Sequence, residues 1–188
     1  AGALLGNHDV LILAAQRFGK RPSGGPGGTF LSSWQLNGGE ASDMDRLTPE
    51  RAEWLRDLPA MALESGRLLV HADATFYQVY GRSVESVNRH ISAILHSGDA
   101  AAWDQLLDYF SQRRAFQDRD LGPARVGRLL TLYGGRQFVH GHTPIYKLNN
   151  DRPDCVSCPL IYAGGLAVAV DAGMYLGGCG FVACLPDL

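Results

Sequence analysis

Apolar positions along the chain fall into two periods, and the switches between them mark out an α/β protein. Trp103, Leu106, Leu107 and Phe110 recur at the three- and four-residue spacing of one helix face, behind Asp99 as a cap. Ser83 opens another amphipathic helix that runs to about Leu95, and Gly122-Pro123 opens a third that Gly134-Gly135 closes. Thr48-Pro49-Glu50 is a helix start, with Thr48 as cap, proline in the first turn and Glu50 complementing the positive helix end. That helix carries Trp54 and Leu55 and stops by Pro59. Val10 to Phe18 predicts a helix, and the run TFLSSWQL predicts a short one ending at Gly38-Gly39.

Shorter apolar runs bounded by glycine read as strands. Ala3 to Leu5 is the end of a buried strand, followed by a turn over Gly6 to Asp9. Met61 to Leu63 and Leu68 to Val70 flank the tight turn Glu64-Ser65-Gly66-Arg67. Arg136 to Val139 is a strand, and Leu160 to Ala163, Leu166 to Val170 and Gly180 to Leu185 complete a sheet. Gly19 to Gly28, rich in glycine and proline, reads as a flexible surface loop.

Composition narrows the class. The 188 residues, 46% apolar, are enough for one domain, 1–188, with a sizeable core. Seventeen Lys and Arg against 19 Asp and Glu give a formal charge of −2. Such a balance gathers no nucleic-acid polymer by counterion release. No apolar run is long enough to span a membrane, and polar Asn7, His8 and Asp9 break the opening run where a secretory signal needs its apolar core. A cytoplasmic protein is expected. Cys155-Val156-Ser157-Cys158 has the spacing of half a zinc knuckle or of a redox pair. Its partners, Cys179 and Cys184, are more loosely spaced within a strand-like run, which favours thiols packed in a reducing cytosol.

The chemistry-bearing residues cluster where apolar runs stop and turns begin. Gly6-Asn7-His8-Asp9, Val70-His71-Ala72-Asp73 and Gly141-His142-Thr143-Pro144 lie at strand exits, where an α/β fold presents side chains to a ligand. Asn7, His71 and His142 offer an amide oxygen and two imidazoles, a donor mixture suited to manganese, iron or zinc rather than calcium. The Asn7 amide NH₂ also suits a phosphate oxygen, and His8 suits a general acid for a leaving alkoxide. Two metals about 3.5–4 Å apart supply what phosphoester hydrolysis needs at neutral pH, an acidified water and neutralised phosphoryl oxygens. Arg113 and Arg114 are candidates to hold a phosphate through their guanidinium groups, or else form a basic helix end near the negative dipole pole. His140, two residues before His142, shares its strand face and stands as either a further ligand or a supporting residue. His90 and His96 read as solvated helix positions.

The set GNHD, VHAD and GHTP, followed by AVDAGMYLGG, resembles the calcineurin-like metallophosphoesterases. Within them it is most similar to the phosphoprotein-phosphatase branch, with its bacterial Ser/Thr phosphatases and symmetrical diadenosine tetraphosphatases. The resemblance runs from Gly6 to about Leu185. It implies two facing β-sheets flanked by helices, a four-layer αββα sandwich with a helical insert after His71. It implies two divalent metal ions (Mn, Fe or Zn), with Asn7, His71 and His142 as ligands and His8 as the catalytic acid. His71-Ala72-Asp73 looks like a variant of the branch's third block, and Asp171-Ala172-Gly173 like its later strand. The branch's Asp-x-His and Gly-Asp-x-x-Asp-Arg-Gly blocks, which supply the other metal's ligands and a phosphate-holding Arg, are not in this sequence. Gly98-Asp99 reads as a cap, and Asp43-Met44-Asp45-Arg46 follows GNHD in the wrong order. The expectation is an N-terminally truncated chain, inactive alone, whose upstream βαβ stretch carries those blocks.

The resulting expectation is a metal-dependent phosphomonoester hydrolase acting on a phosphorylated protein by attack of a metal-bridging hydroxide. Two alternatives stay open. One is a dinucleoside polyphosphate hydrolase, for which Tyr77, Tyr80 and Trp103 offer aromatic surface to a nucleotide base if they are not core. The other is a non-catalytic binding module, if Ala1 is the natural start.

Overall fold

The computed structural model describes residues 2–186. In chain order the helices are α1 (Asn7–Phe18), α2 (Phe30–Leu36), α3 (Ala41–Arg46), α4 (Pro49–Arg56), α5 (Tyr77–Tyr80), α6 (Val84–His96), α7 (Ala100–Ser111), α8 (Gly122–Tyr133) and α9 (Ile145–Asn149). The strands are β1 (Met61–Glu64), β2 (Arg67–Val70), β3 (Gln137–His140), β4 (Leu160–Tyr162) and β5 (Ala167–Ala169). The chain is therefore an α/β protein. The described residues form two compact units, residues 2–60 with 88–111, and residues 61–87 with 112–186.

The first unit is helical, and side-chain caps set its helix starts. Thr29 Oγ1 accepts from the Ser32 N–H at 3.1 Å to open α2, and Thr48 Oγ1 accepts from the Arg51 N–H at 3.4 Å to open α4. The Asp99 carboxylate accepts from the N–H groups of Ala101 and Ala102 at 3.0 and 3.3 Å to open α7. The apolar face of α7 buries Trp103, Leu106 and Phe110, with Phe18 edge-on to Trp103 at 5.6 Å and tilted on Phe30 at 4.9 Å. α1 starts three residues earlier than its apolar pattern implies. Gly6 is extended, its N–H donates to the Asp9 carboxylate at 2.8 Å, and Asn7, His8 and Asp9 form the first helical turn rather than a turn ahead of it.

The 19–28 loop is held along its length. Pro22 bridges Thr29, and the Gly24 N–H donates to Asp104 Oδ2 at 2.7 Å. Gly27 lies so close to α2 that a Cβ there would sit 2.4 Å from Ser32 C and Ser33 N, so only glycine fits.

The second unit carries the sheet, in the order β1-β2-β3-β5-β4. The three central strands run parallel and both edge pairs are antiparallel. Ser65 and Gly66, with φ of 48° and 76°, make the two-residue hairpin between β1 and β2. Two residues at positive φ give the turn whose twist matches the flanking strands. Leu68, Phe138 and Val168 are buried on the three central strands, and Phe116 meets the Phe138 ring at right angles, 4.9 Å away.

Among the described residues there is one sheet, not the two facing sheets that the family resemblance implies. Two strand-like runs carry no ladder. Ala3 to Leu5 contributes one backbone bond, Leu5 N–H to the Pro59 carbonyl at 2.9 Å, and residues 180–185 have no regular structure, with Val182 97% exposed. An apolar run becomes a strand only where a neighbour takes up its N–H and C=O groups.

Candidate functional site

Parallel pairing of β2 with β3 aligns Val70 with His140, so both strands end at the same level. The chain continues as His71 on one side and Gly141-His142 on the other, and the Gly141 N–H donates to the His71 carbonyl at 3.0 Å. His71 and His142, distant in sequence, thereby come together with ring centroids 4.5 Å apart, tilted by 56°, both half-buried. His142 adopts φ 63°, a left-handed conformation in which a side chain other than glycine is unfavourable. It turns the chain out of the strand, so the period-two alternation that would put His140 and His142 on one face ends at residue 140.

Asp73 ties these segments together from beneath. It is fully buried, and its Oδ1 accepts the Thr143 hydroxyl at 2.6 Å while its Oδ2 accepts the Arg114 N–H at 2.9 Å. Its backbone carbonyl takes the Ala115 N–H at 2.9 Å. One carboxylate thus connects the residue after His142 to a second left-handed residue, Arg114 at φ 65°. The Arg114 guanidinium reaches the Lys147 carbonyl at 3.4 Å, and Arg113 is exposed.

His140 is a buried supporting residue. Its Nδ1 lies 2.9 Å from the Gly141 carbonyl, which only accepts, so Nδ1 carries the proton. Nε2 then accepts the Tyr162 hydroxyl proton at 2.7 Å. Burial drives the His140 pKa below its ordinary value, against the opposing pull of Asp73, whose Oδ1 is 3.9 Å from Nδ1. Burial likewise raises the Tyr162 hydroxyl. Because the unfolded chain protonates this histidine near its ordinary value, about 6.5, and the folded chain resists, acid favours unfolding. Stability is expected to be full above about pH 6.5 and to fall as pH drops below it. Urea unfolding of His140→Gln between pH 5 and 7 checks this, and its acid slope should be shallower than the parent's.

Asn7 and His8 belong to the first unit and open α1, Asn7 buried and His8 exposed. Burial pushes the neighbouring Asp9 carboxyl up, offset in part by the Gly6 N–H and by His8. His71 and His142 suit a shared cation. A metal about 2.0–2.1 Å from each ligating nitrogen holds two ring centroids roughly 4–6 Å apart, a range that includes the observed spacing. Among the described residues no third His, Cys, Asp or Glu closes on them. The group that does converge is Glu53, Asp57 and His96, all exposed. There His96 Nε2 meets Glu53 at 3.1 Å, and its pKa is raised, first by the Ser92 carbonyl that Nδ1 meets. That pairing favours the protonated imidazole, whereas a metal ligand must be neutral.

Other expectations resolve by burial. Tyr77, Tyr80 and Trp103 are core residues, at 0%, 7% and 0% exposure, and present no surface to a nucleotide base. Cys155, Cys158, Cys179 and Cys184 are free and exposed rather than packed, and Cys184 lies in the 180–185 run that forms no strand. No helix among the described residues is long and apolar enough to cross a membrane. The sequence motifs named Asp73 but assigned it nothing, and gave no hint of Tyr162. A carboxylate inside an otherwise apolar exit segment was the one available signal. No protein-family model, curated protein or solved structure matches this chain.

Proposed function

We propose that this chain carries half of the catalytic centre of a metal-dependent phosphoester hydrolase of the calcineurin-like, phosphoprotein-phosphatase type. The observation that carries the reading is the His71–His142 pair, 4.5 Å between ring centroids, with His142 held at positive φ. Backbone strain clusters at functional sites, and here it falls on a histidine beside a second histidine, which supports the reading. On this reading His71 and His142 hold one of two divalent ions, manganese, iron or zinc. The ions supply an acidified water and neutralise the phosphoryl oxygens. Arg113 and Arg114 bind phosphate oxygens. The attacking water, giving its proton to solvent, would form the new P–O bond as the ester P–O bond breaks, and His8 would give a proton to the departing alkoxide. Ligands for the second ion belong to Asp-x-His and Gly-Asp-x-x-Asp-Arg-Gly blocks that these 188 residues do not contain.

A phosphorylated protein is the favoured substrate over a dinucleoside polyphosphate, since the candidate base-stacking aromatics are buried. The test is hydrolysis of a phosphothreonine peptide and of diadenosine tetraphosphate by the full-length protein with manganese. Peptide turnover is expected, and His8→Ala should lower kcat by about 10²–10⁴ with little change in KM. Absence of turnover on both substrates overturns the proposal, and nucleotide cleavage without peptide cleavage replaces the substrate.

A further inference from the structure

The first unit holds a cavity, lined in part by Asn7, that the proposed chemistry does not account for. It measures about 640 Å³ and is walled by α1, α2, α7 and the 19–28 loop. That is the size of a pocket for a small organic molecule. Leu11, Leu107 and Pro26 give it an apolar lining. Buried Ser33, whose Oγ accepts the Gly27 N–H at 3.3 Å, fixes the loop wall, and a Cβ on Gly25 would stand 2.6 Å from that oxygen. The wall is packed to shape, and the pocket does not depend on a loose loop.

Its charge is one-sided. Asp104 and Asp108 line it one helical turn apart, on the same face of α7. Asp104 is oriented by the Gly24 N–H through Oδ2, which leaves Oδ1 for a ligand. Among the described residues no Lys, Arg or His lines the cavity. An anion entering it would lose its water and meet two carboxylates, whereas a cation on an apolar stem gains both charge pairing and burial. From the cavity, its apolar lining and this charge, we infer that the first unit binds a small molecule bearing a guanidinium, amidinium or ammonium group on a compact apolar body. The cation sits between Asp104 and Asp108, and the stem lies against Leu11 and Leu107.

Benzamidine, a flat apolar ring with an amidinium, is the probe, and calorimetric titration into the full chain is the measurement. Binding is expected, with benzoate, the same ring bearing a carboxylate, giving none. Asp108→Asn is exposed and of equal size, so it leaves the fold intact, and it should weaken benzamidine about tenfold, the loss of one charged hydrogen bond. Asp104→Asn with Asp108→Asn together should abolish binding, with thermal melts confirming that both variants fold. No benzamidine heat, equal affinity for the folded double variant, or benzoate binding as tightly would each overturn the inference. None of these outcomes depends on phosphoester hydrolysis.

Discussion

Replacing Asp73 by alanine is expected to cost the fold about 3 kcal/mol, since a buried hydroxyl and a partly buried backbone N–H lose their acceptor at roughly 1–3 kcal/mol each. The donors are the Thr143 hydroxyl at 2.6 Å and the Arg114 N–H at 2.9 Å, both aimed at a side chain with no exposure. Urea denaturation followed by circular dichroism measures the loss. Asp73→Asn should cost less, because the amide oxygen still serves one donor, while its NH₂ now opposes the other. Asp73→Ala together with Thr143→Val removes one donor along with the acceptor. The double variant should therefore lose less than the two single losses added together. Strict additivity would mean that the carboxylate does not hold Thr143, and with it the turn that presents His142.

His142→Gly is expected to separate function from stability. The native φ of 63° costs a side chain about 1–2 kcal/mol that glycine does not incur. Glycine gives back about 0.5–1 kcal/mol through the greater freedom of its unfolded chain. Stability should therefore stay within about 1 kcal/mol of the parent. Metal-supported phosphoester hydrolysis by the full-length protein should fall by about 10³-fold or more, the loss of roughly 4 kcal/mol of transition-state stabilisation. A core histidine would behave in the opposite way, with stability dropping and any activity following it. His71→Ala provides the comparison at the partner ring and is expected to lower hydrolysis to the same degree.

Local chemistry was legible in the sequence, and long-range chemistry was not. Thr48 and Asp99 cap the helices they precede, as expected, because a cap is a contact over two or three residues. Ser65-Gly66 turns where expected for the same reason. The start of α1 was misread because glycine supplies no side-chain cap, and the bond that marks the start runs backwards from Asp9. Ala3 to Leu5 and Gly180 to Leu185 have strand composition, yet a strand is defined by its neighbour, which no local pattern contains. The same divide runs through the site. His71 and His142 stood out as motifs, but the carboxylate that ties their segments together depends on Thr143 and Arg114 arriving from elsewhere in the chain. Asp104 and Asp108 lie four residues apart on an amphipathic helix and read as an ordinary solvated face until the cavity is seen. The exposed cysteines were misjudged because loose spacing argues against a zinc site without showing that the thiols are buried.

The central claim is that His71 and His142 share one divalent ion, and paramagnetic broadening tests it most directly. Substoichiometric Mn²⁺ is added to the ¹⁵N-labelled full-length protein, and amide signals are followed residue by residue. The account predicts that residues 71 and 142 broaden together and first, and that His142→Gly abolishes the effect at both. Broadening centred on Glu53, Asp57 and His96, with residues 71 and 142 unchanged, would contradict it.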